Sequence, residues 1–332
     1  MIRFLTLSEA KLTAPDLPDV YYAPEYGDSA EVIDGGTWEC ATDGQAWFPY
    51  IKRTVEGSRE EYDLVTPYGY GGVTGVDNDD ALAEFRSMFL TASRERGLIA
   101  EFIRGNPFDI SEISLKLLDV DNARPHRTYG VSVHADPDEY WQGAQGRHRT
   151  AVRKASKAGV VVERHDNVEV LDASSGFRTL YDLTMERVGS SARLRVGDEY
   201  FTKLRAGLGD RLVLIKATRH GQDCAASLFM SWGNRVHYHL SGSTDEGMQI
   251  GASNAILDHA IRTVVAPGMT LHLGGGVSSD DGLARFKSAM ATEVMAVQLC
   301  RHVVNRQRYD QLVVESGADR DSAFFPAYRD VR

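Results

Sequence analysis

The stretch Leu271–Met290, LHLGGGVSSDDGLARFKSAM, leaves the chain few ways to fold around it. A short apolar run, Leu271 and Leu273, meets three consecutive glycines, Gly274 to Gly276. A polar loop follows, and then an amphipathic segment that carries Phe286-Lys287. The pattern predicts a strand, a tight turn and a helix. Glycines supply positive φ and let another group come close to the backbone. Ser278, Ser279, Asp280 and Asp281 are each candidate N-caps. Lys287 then falls about two turns into the helix. Most lysines are solvated, so the glycines and the lysine need the rest of the chain to give them a meaning.

A chain of 332 residues suggests two domains. Hydrophobic residues at 42% and charged residues at 25% are the proportions of an ordinary globular protein. No apolar run reaches the roughly 18 residues that span a bilayer, so no membrane span is expected. The start, MIRFLTLSEAKLTAPD, has no sustained apolar core of a secretory signal, and a cytoplasmic location is expected. Cys40, Cys224 and Cys300 are far apart and read as reduced thiols. The histidines show no HExxH or comparable spacing, so no metal is expected. A net charge of −10 argues against general coating of nucleic acid, which draws on phosphate neutralisation. It leaves room for a local basic groove. Arg147, Arg149, Arg153, Lys154, Lys157 and Arg164 lie in a span otherwise poor in acid, with a solvated helix face as the alternative reading.

Periodicity predicts helices over 79–96, 145–158, 177–188, 200–208, 252–265 and 309–314. It predicts strands over 62–65, 98–104, 128–133, 160–162, 211–218, 225–232, 235–240 and 292–299. Strands and helices intermix, with a hairpin around Gly221, which suits an α/β class with a mixed, α+β-type sheet flanked by helices. Regular strand–helix alternation is missing, as are GxGxxG and GxxxxGK[ST], so dinucleotide and P-loop folds lose their support. The Gly159 stop after the basic helix suggests a domain boundary near residue 145.

Several stretches, taken together, resemble the FemABX-type branch of the GNAT superfamily, the peptidoglycan-bridge aminoacyltransferases and their N-acyltransferase relatives. They are Asp63-Leu64-x-x-Pro67-Tyr68-Gly69-Tyr70; Arg147 to Gly159; Tyr181-x-x-Thr184-Met185-x-Arg187 with Tyr200-Phe201-x-x-Leu204; Tyr238-His239-Leu240-Ser241-Gly242-Ser243; Leu273 to Lys287; and Phe325-Pro326-x-Tyr328-Arg329. Their order and spacing over residues 60–330 carry the likeness. The resemblance implies two tandem GNAT-like domains without a coiled-coil arm. The first would be 1–145 completed by about 305–332, and the second 146–304.

It also implies an amide-forming acyltransferase that moves an aminoacyl group from aminoacyl-tRNA onto an amine acceptor, a cell-wall precursor or a peptide intermediate. No cofactor is implied beyond that co-substrate. Lys287 matches the family's lysine of the Phe-Lys pair, held to neutralise an oxyanion or a substrate phosphate. Phe286, Tyr68, Tyr70, Tyr238, Ser241, Arg187, Gly275 and Gly276 would line the substrate. Arg147, Arg149, Arg153 and Lys154 would meet the donor's phosphates. Asp63, His239 and Tyr238 are the candidate bases, His239 because imidazole titrates near neutrality.

Two departures matter. The region Gly71 to Asp77 lacks the acid of the bridge enzymes at the matching place. Arg195 precedes Tyr200 by five residues, where the family has four. Both point to an acceptor other than the lipid-linked or UDP-linked muropeptide. The alternatives are an acyl-CoA or carrier-protein donor on the same fold, for which Arg205-Ala206-Gly207-Leu208-Gly209 is a poor pyrophosphate loop, and a non-catalytic binding module.

Overall fold

The computed structural model describes residues 1–108, 124–133, 137–166, 171, 175–189, 196–276 and 281–330. Contacts within the chain divide it into two units. One comprises residues 1–17, 21–126 and 296–332, the other residues 18–20 and 127–295.

The first unit opens with β1 (Arg3–Thr6), α1 (Leu7–Thr13) and α2 (Pro24–Asp34). Thr6 and Glu9 form a capping box that starts α1. Strands β2 (Thr37–Thr42), β3 (Trp47–Thr54) and β4 (Tyr62–Val65) follow as an antiparallel meander. The helix α3 (Asp79–Glu95) crosses to β5 (Leu98–Arg104), which runs parallel to β4. Asn78 caps α3 by accepting the Ala81 N–H at 2.9 Å. Phe85 and Phe89, one turn apart, bury its inner face against Phe48, Tyr50 and Tyr62. The last strand of this unit is the end of β12 (Glu293–Val303), antiparallel to β5 through residues 299–303. The helix α11 (Arg306–Ser316) and the aromatic C-terminus pack against Val55, Ile99 and Ala100.

The second unit contains most of β6 (Arg124–Ser132), then α4 (Pro137–Gly143), α5 (Gly146–Lys157), β7 (Val161–His165), α6 (Gly176–Arg187) and α7 (Asp198–Leu208). Strands β8 (Leu212–Arg219), β9 (Gln222–Trp232) and β10 (Arg235–Ser243) form an antiparallel run. The helices α8 (Asp245–Ile250) and α9 (Ala252–Thr263) cross to β11 (Thr270–Gly275), parallel to β10. Then come α10 (Gly282–Ser288) and the start of β12. The strand order is β6-β11-β10-β9-β8-β7. Ile256, Leu257, Ala260 and Ile261 of α9 bury against Val213, Ile215 and Phe229.

Each unit therefore has the same wiring. An antiparallel pair leads into one parallel pair with a helical crossover, and an antiparallel strand closes the far side. In the first unit that closing strand comes from after the second unit, and in the second it is β6. This is a tandem arrangement of mixed α/β units. Among the described residues no helix exceeds the 17 residues of α3, so no coiled-coil arm is present there. None of these helices is long and apolar enough to cross a membrane.

The boundary expected near residue 145 falls instead at 126/127, and the return begins at Ala296, not near 305. The reason is pairing at a distance: Thr128 to Ser132 are hydrogen-bonded in register with β11. The turn before α5 is tied to the same unit, with Gln145 N–H donating to Ala289 O at 2.8 Å.

Candidate functional site

β10 and β11 pair over only three rungs, Arg235–Thr270, Val236–Leu271 and His237–His272. Just beyond, each strand also breaks register with its outer neighbour. β10 shifts against β9 between Tyr238 and Leu240, and β11 shifts against β6 between His272 and Gly274. Backbone groups that leave a ladder have to be met by side chains or by a ligand. The glycine-turned stretch lies at that opening. Gly274 sits at φ 73°. A β-carbon on Gly276 would collide with the Asp281 carboxylate. Asp281 is the cap of α10 and accepts the Ala284 N–H at 2.7 Å. The other candidate caps, Ser278 to Asp280, lie outside the described residues.

Lys287 is in the last turn of α10 and is 7% exposed. Its ammonium donates to Gly275 O at 2.7 Å and stands 5.9 Å from the centre of the Tyr238 ring. Among the described residues that carbonyl is its one hydrogen-bond acceptor. An ammonium has three donors, and among the described residues two of them meet no acceptor. Burial pushes its pKa down from 10.5 to about 8, against the pull of Asp281. Phe286 packs on the apolar core of the unit and fixes the rotation of α10. The Tyr238 phenol is bonded to the hydroxyls of Ser241 and Ser227, and burial raises its pKa. Lys287, Phe286, Gly275, Gly276, Tyr238 and Ser241 thus lie around one another, with Ser241 orienting the tyrosine.

A polar group that sequence reasoning missed lies in the same unit. Asp19, fully buried, accepts from His237 Nε2 at 2.9 Å and pairs with Arg235 at 3.2 Å. The His237 and His272 rings meet edge to face, with centroids 5.6 Å apart. Burial holds His272 well below the usual imidazole range, and the charges of His237 and Lys287 push the same way. The alternation His237-Tyr238-His239 and His272 just before the glycines were visible signals, but nothing marked Asp19.

Other expected residues have different duties. Asp63, taken as a candidate base, is buried in the first unit. It accepts from Arg53 Nε at 2.7 Å, the Tyr328 hydroxyl at 2.8 Å and Arg329 Nε at 2.5 Å. A carboxylate so compensated holds the C-terminal segment to β3 and β4; it is structural. His239 faces Tyr200, whose hydroxyl is 2.5 Å from Nε2. Burial, then the nearby His237, depress its pKa to about 3. Arg187 donates to Ser243 O at 3.0 Å and pairs with Asp245. With Gly242, which has no room for a β-carbon against the Leu180 backbone, it locks α6 onto β10.

Tyr68 and Tyr70 stay in the first unit. The Tyr26 hydroxyl donates to Tyr68 O at 2.8 Å, and Tyr70 meets Tyr21 edge to face. Arg149 turns inward and caps the carbonyls that end α4, Trp141, Gln142 and Ala144. The rest of the basic run does form an exposed stripe on α5: Arg147, Arg153, Lys154 and Lys157. Arg147 reaches Ser288, next to Lys287, at 3.2 Å. Arg195 lies outside the described residues.

Residues 144–288 match a sequence model described as an acetyltransferase (GNAT) domain. No curated protein matches the chain in sequence. Among solved structures, FemX superposes over 94% of this chain and 99% of its own, with a TM-score of 0.67 at 16% identity. The C-terminal domain of a protein described as a lysylphosphatidylglycerol synthetase, from Agrobacterium fabrum, covers 93% and 95% with a TM-score of 0.58 at 13% identity. L-PGS from Bacillus licheniformis covers 86% and 87% with a TM-score of 0.54 at 12% identity. The fold is therefore FemX-like, and Lys287 lies inside the segment that matches the GNAT-domain description.

Proposed function

We propose that the protein is an aminoacyltransferase that takes an aminoacyl group from the 3′ end of a charged tRNA and forms an amide with an amine acceptor. The observation that carries this reading is the buried ammonium of Lys287, held by one carbonyl at the opening between β10 and β11. The neutral amine attacks the ester carbonyl, and the carbonyl oxygen becomes anionic. Collapse expels the ribose oxygen, which takes up a proton as the new amide nitrogen loses one. A fixed cation within hydrogen-bonding reach of the developing oxyanion acts where charge appears, and such a contact is worth about 3–4 kcal/mol. No covalent acyl-enzyme is needed, because direct attack balances without one.

Two features favour a tRNA donor over a coenzyme A thioester. The exposed cations of α5 begin beside Ser288, so a polyanion that enters the site has a matched face to lie along. The helix that follows β10 opens on Asp245 and Glu246. Acids there oppose the binding of a diphosphate at a helix N-terminus. The acceptor is an amine, and the departures at Gly71–Asp77 and Arg195 favour one other than a muropeptide.

The test is incubation with a charged tRNA pool and candidate amines, watching by mass for a new amide. Ribonuclease-sensitive amide formation, with no calorimetric binding of acetyl-CoA, is the expected result. Ribonuclease-resistant transfer from an acyl thioester would transfer the assignment to that donor. No amide with any donor would leave a binding module.

A further inference from the structure

We propose that Asp281 is a specificity-determining residue of the acyl-transfer centre: its carboxylate receives the α-ammonium of the donor's aminoacyl group while Lys287 faces the carbonyl oxygen. This deepens the proposed function and rests on its placing the transfer at Lys287. It names the acyl group as one that carries a free α-amine. Asp281 stands just before α10 and is half-buried. It caps that helix by accepting the Ala284 N–H at 2.7 Å. One N–H does not exhaust a carboxylate, which has about four lone-pair positions.

The same carboxylate lies over the glycine turn. A β-carbon on Gly276 would stand 2.4 Å from one of its oxygens and 2.8 Å from the other. Gly276 does not have a positive φ, so what demands a glycine there is the space the carboxylate takes. On the preceding peptide, Gly275 O accepts from the Lys287 ammonium at 2.7 Å. The two charges thus flank adjacent residues of the turn, and standard backbone dimensions put them less than about 10 Å apart. Attraction to Asp281 also holds the Lys287 pKa up against the burial that lowers it.

An aminoacyl ester has the complementary shape. Its carbonyl oxygen and α-nitrogen sit on adjacent carbons and lie about 3 Å apart. With a hydrogen bond of about 3 Å at either end, a cation and an anion about 6–9 Å apart hold both at once. In the tetrahedral intermediate the oxygen is anionic and the nitrogen cationic, so the paired charges match it better than they match the ester. The acceptor amine is a poorer occupant for Asp281, because it has to give up its proton to attack. An acyl group without an amine costs the carboxylate hydration and gives it no new partner.

The experiment compares two stable donor analogues. Each is an acceptor-stem RNA hairpin ending in 3′-amino-3′-deoxyadenosine, acylated with alanyl or with lactyl, which puts a hydroxyl where the ammonium was. Binding is read by calorimetry, so no acceptor is needed. Wild type should bind the alanyl hairpin about 10- to 100-fold more tightly. Asp281→Asn keeps a good N-cap and removes the charge, and the preference should be lost. Gly276→Ala keeps the carboxylate but pushes it off the turn, and should weaken the preference. It stands in if Asp281→Asn does not fold.

Equal binding of the two hairpins by wild type overturns the proposal, and so does a preference that survives Asp281→Asn, or Gly276→Ala in its place. Equal weakening of both hairpins in Asp281→Asn overturns it too, since a broken cap or a lost proton acceptor does that. Alanyl and lactyl thioesters of coenzyme A separate this role from the donor. A preference for the alanyl thioester that Asp281→Asn removes, with neither hairpin bound, keeps the ammonium site and removes the tRNA reading. Ribonuclease-sensitive amide formation without any alanyl preference keeps the tRNA reading and removes the ammonium site.

Discussion

Replacing Lys287 with Met should slow the enzyme and stabilise the fold at once. The ammonium is 7% exposed and carries its charge with one carbonyl for company among the described residues. A pKa lowered from 10.5 to about 8 means that holding the charge there costs about 3 kcal/mol of folding free energy at neutral pH. Methionine fills a similar volume without the charge. It leaves Gly275 O without its donor, a loss of about 1–2 kcal/mol. The balance is a variant about 1–2 kcal/mol more stable than wild type at pH 7. The sign with pH follows from linkage. Between about 8 and 10.5 the unfolded chain keeps the lysine proton and the folded chain has lost it, so wild-type stability rises through that window. The advantage of the variant should therefore shrink across it and be gone above it. Amide formation should drop about 10²- to 10³-fold, the loss of one oxyanion contact, and wild-type turnover should itself fall as pH rises through about 8. Thermal unfolding across pH and single-turnover amide formation by mass make the assay. A Met variant that keeps a tenth of the wild-type rate, or one less stable than wild type at neutrality, refutes the reasoning.

Asp63→Ala leaves Arg53 buried without its carboxylate, and should destabilise the first unit by about 3–5 kcal/mol in denaturant unfolding. Turnover per folded molecule should stay unchanged, since Asp63 serves the fold. Gly242→Ala drives a methyl group into the Leu180 backbone. It should cost about 1–3 kcal/mol or more and lower the midpoint of thermal unfolding. Arg153→Glu together with Lys157→Glu, on the exposed stripe of α5, should raise the KM for charged tRNA and flatten its salt dependence by about 1–2 in log–log slope. The KM for the amine should not move.

What the sequence displayed was local. The strand, the glycine turn and the lysine helix sit within twenty residues of one another, and each uses a pattern that periodicity and capping chemistry can read. The tandem wiring was legible through a resemblance spread over the chain, while the division at residue 126 was not. It is set by β6 pairing with β11, a contact that no local period reports. Charge alone also misled. Arg149 and Arg153 lie one helical turn apart in one basic run, yet one caps the carbonyls ending α4 and the other stays exposed. Arg187 reads as a binding residue by type, and its partners, Ser243 O and Asp245, become visible only when α6 is laid on β10.

Buried charges separate by how they are compensated, and that separation is what assigns them roles. Asp63 meets three side-chain donors, one of them 265 residues away in sequence, and with its charge fully answered it has nothing to offer a substrate. Lys287 meets one carbonyl among the described residues, and its charge is held at a cost. Uncompensated charge persists in a folded protein where it is used, because selection for stability alone would replace it. Asp19 falls with Asp63. Arg235 and His237 answer it, the latter 218 residues away. A buried carboxylate has lone pairs enough for both donors, so the pair and the hydrogen bond together compensate it.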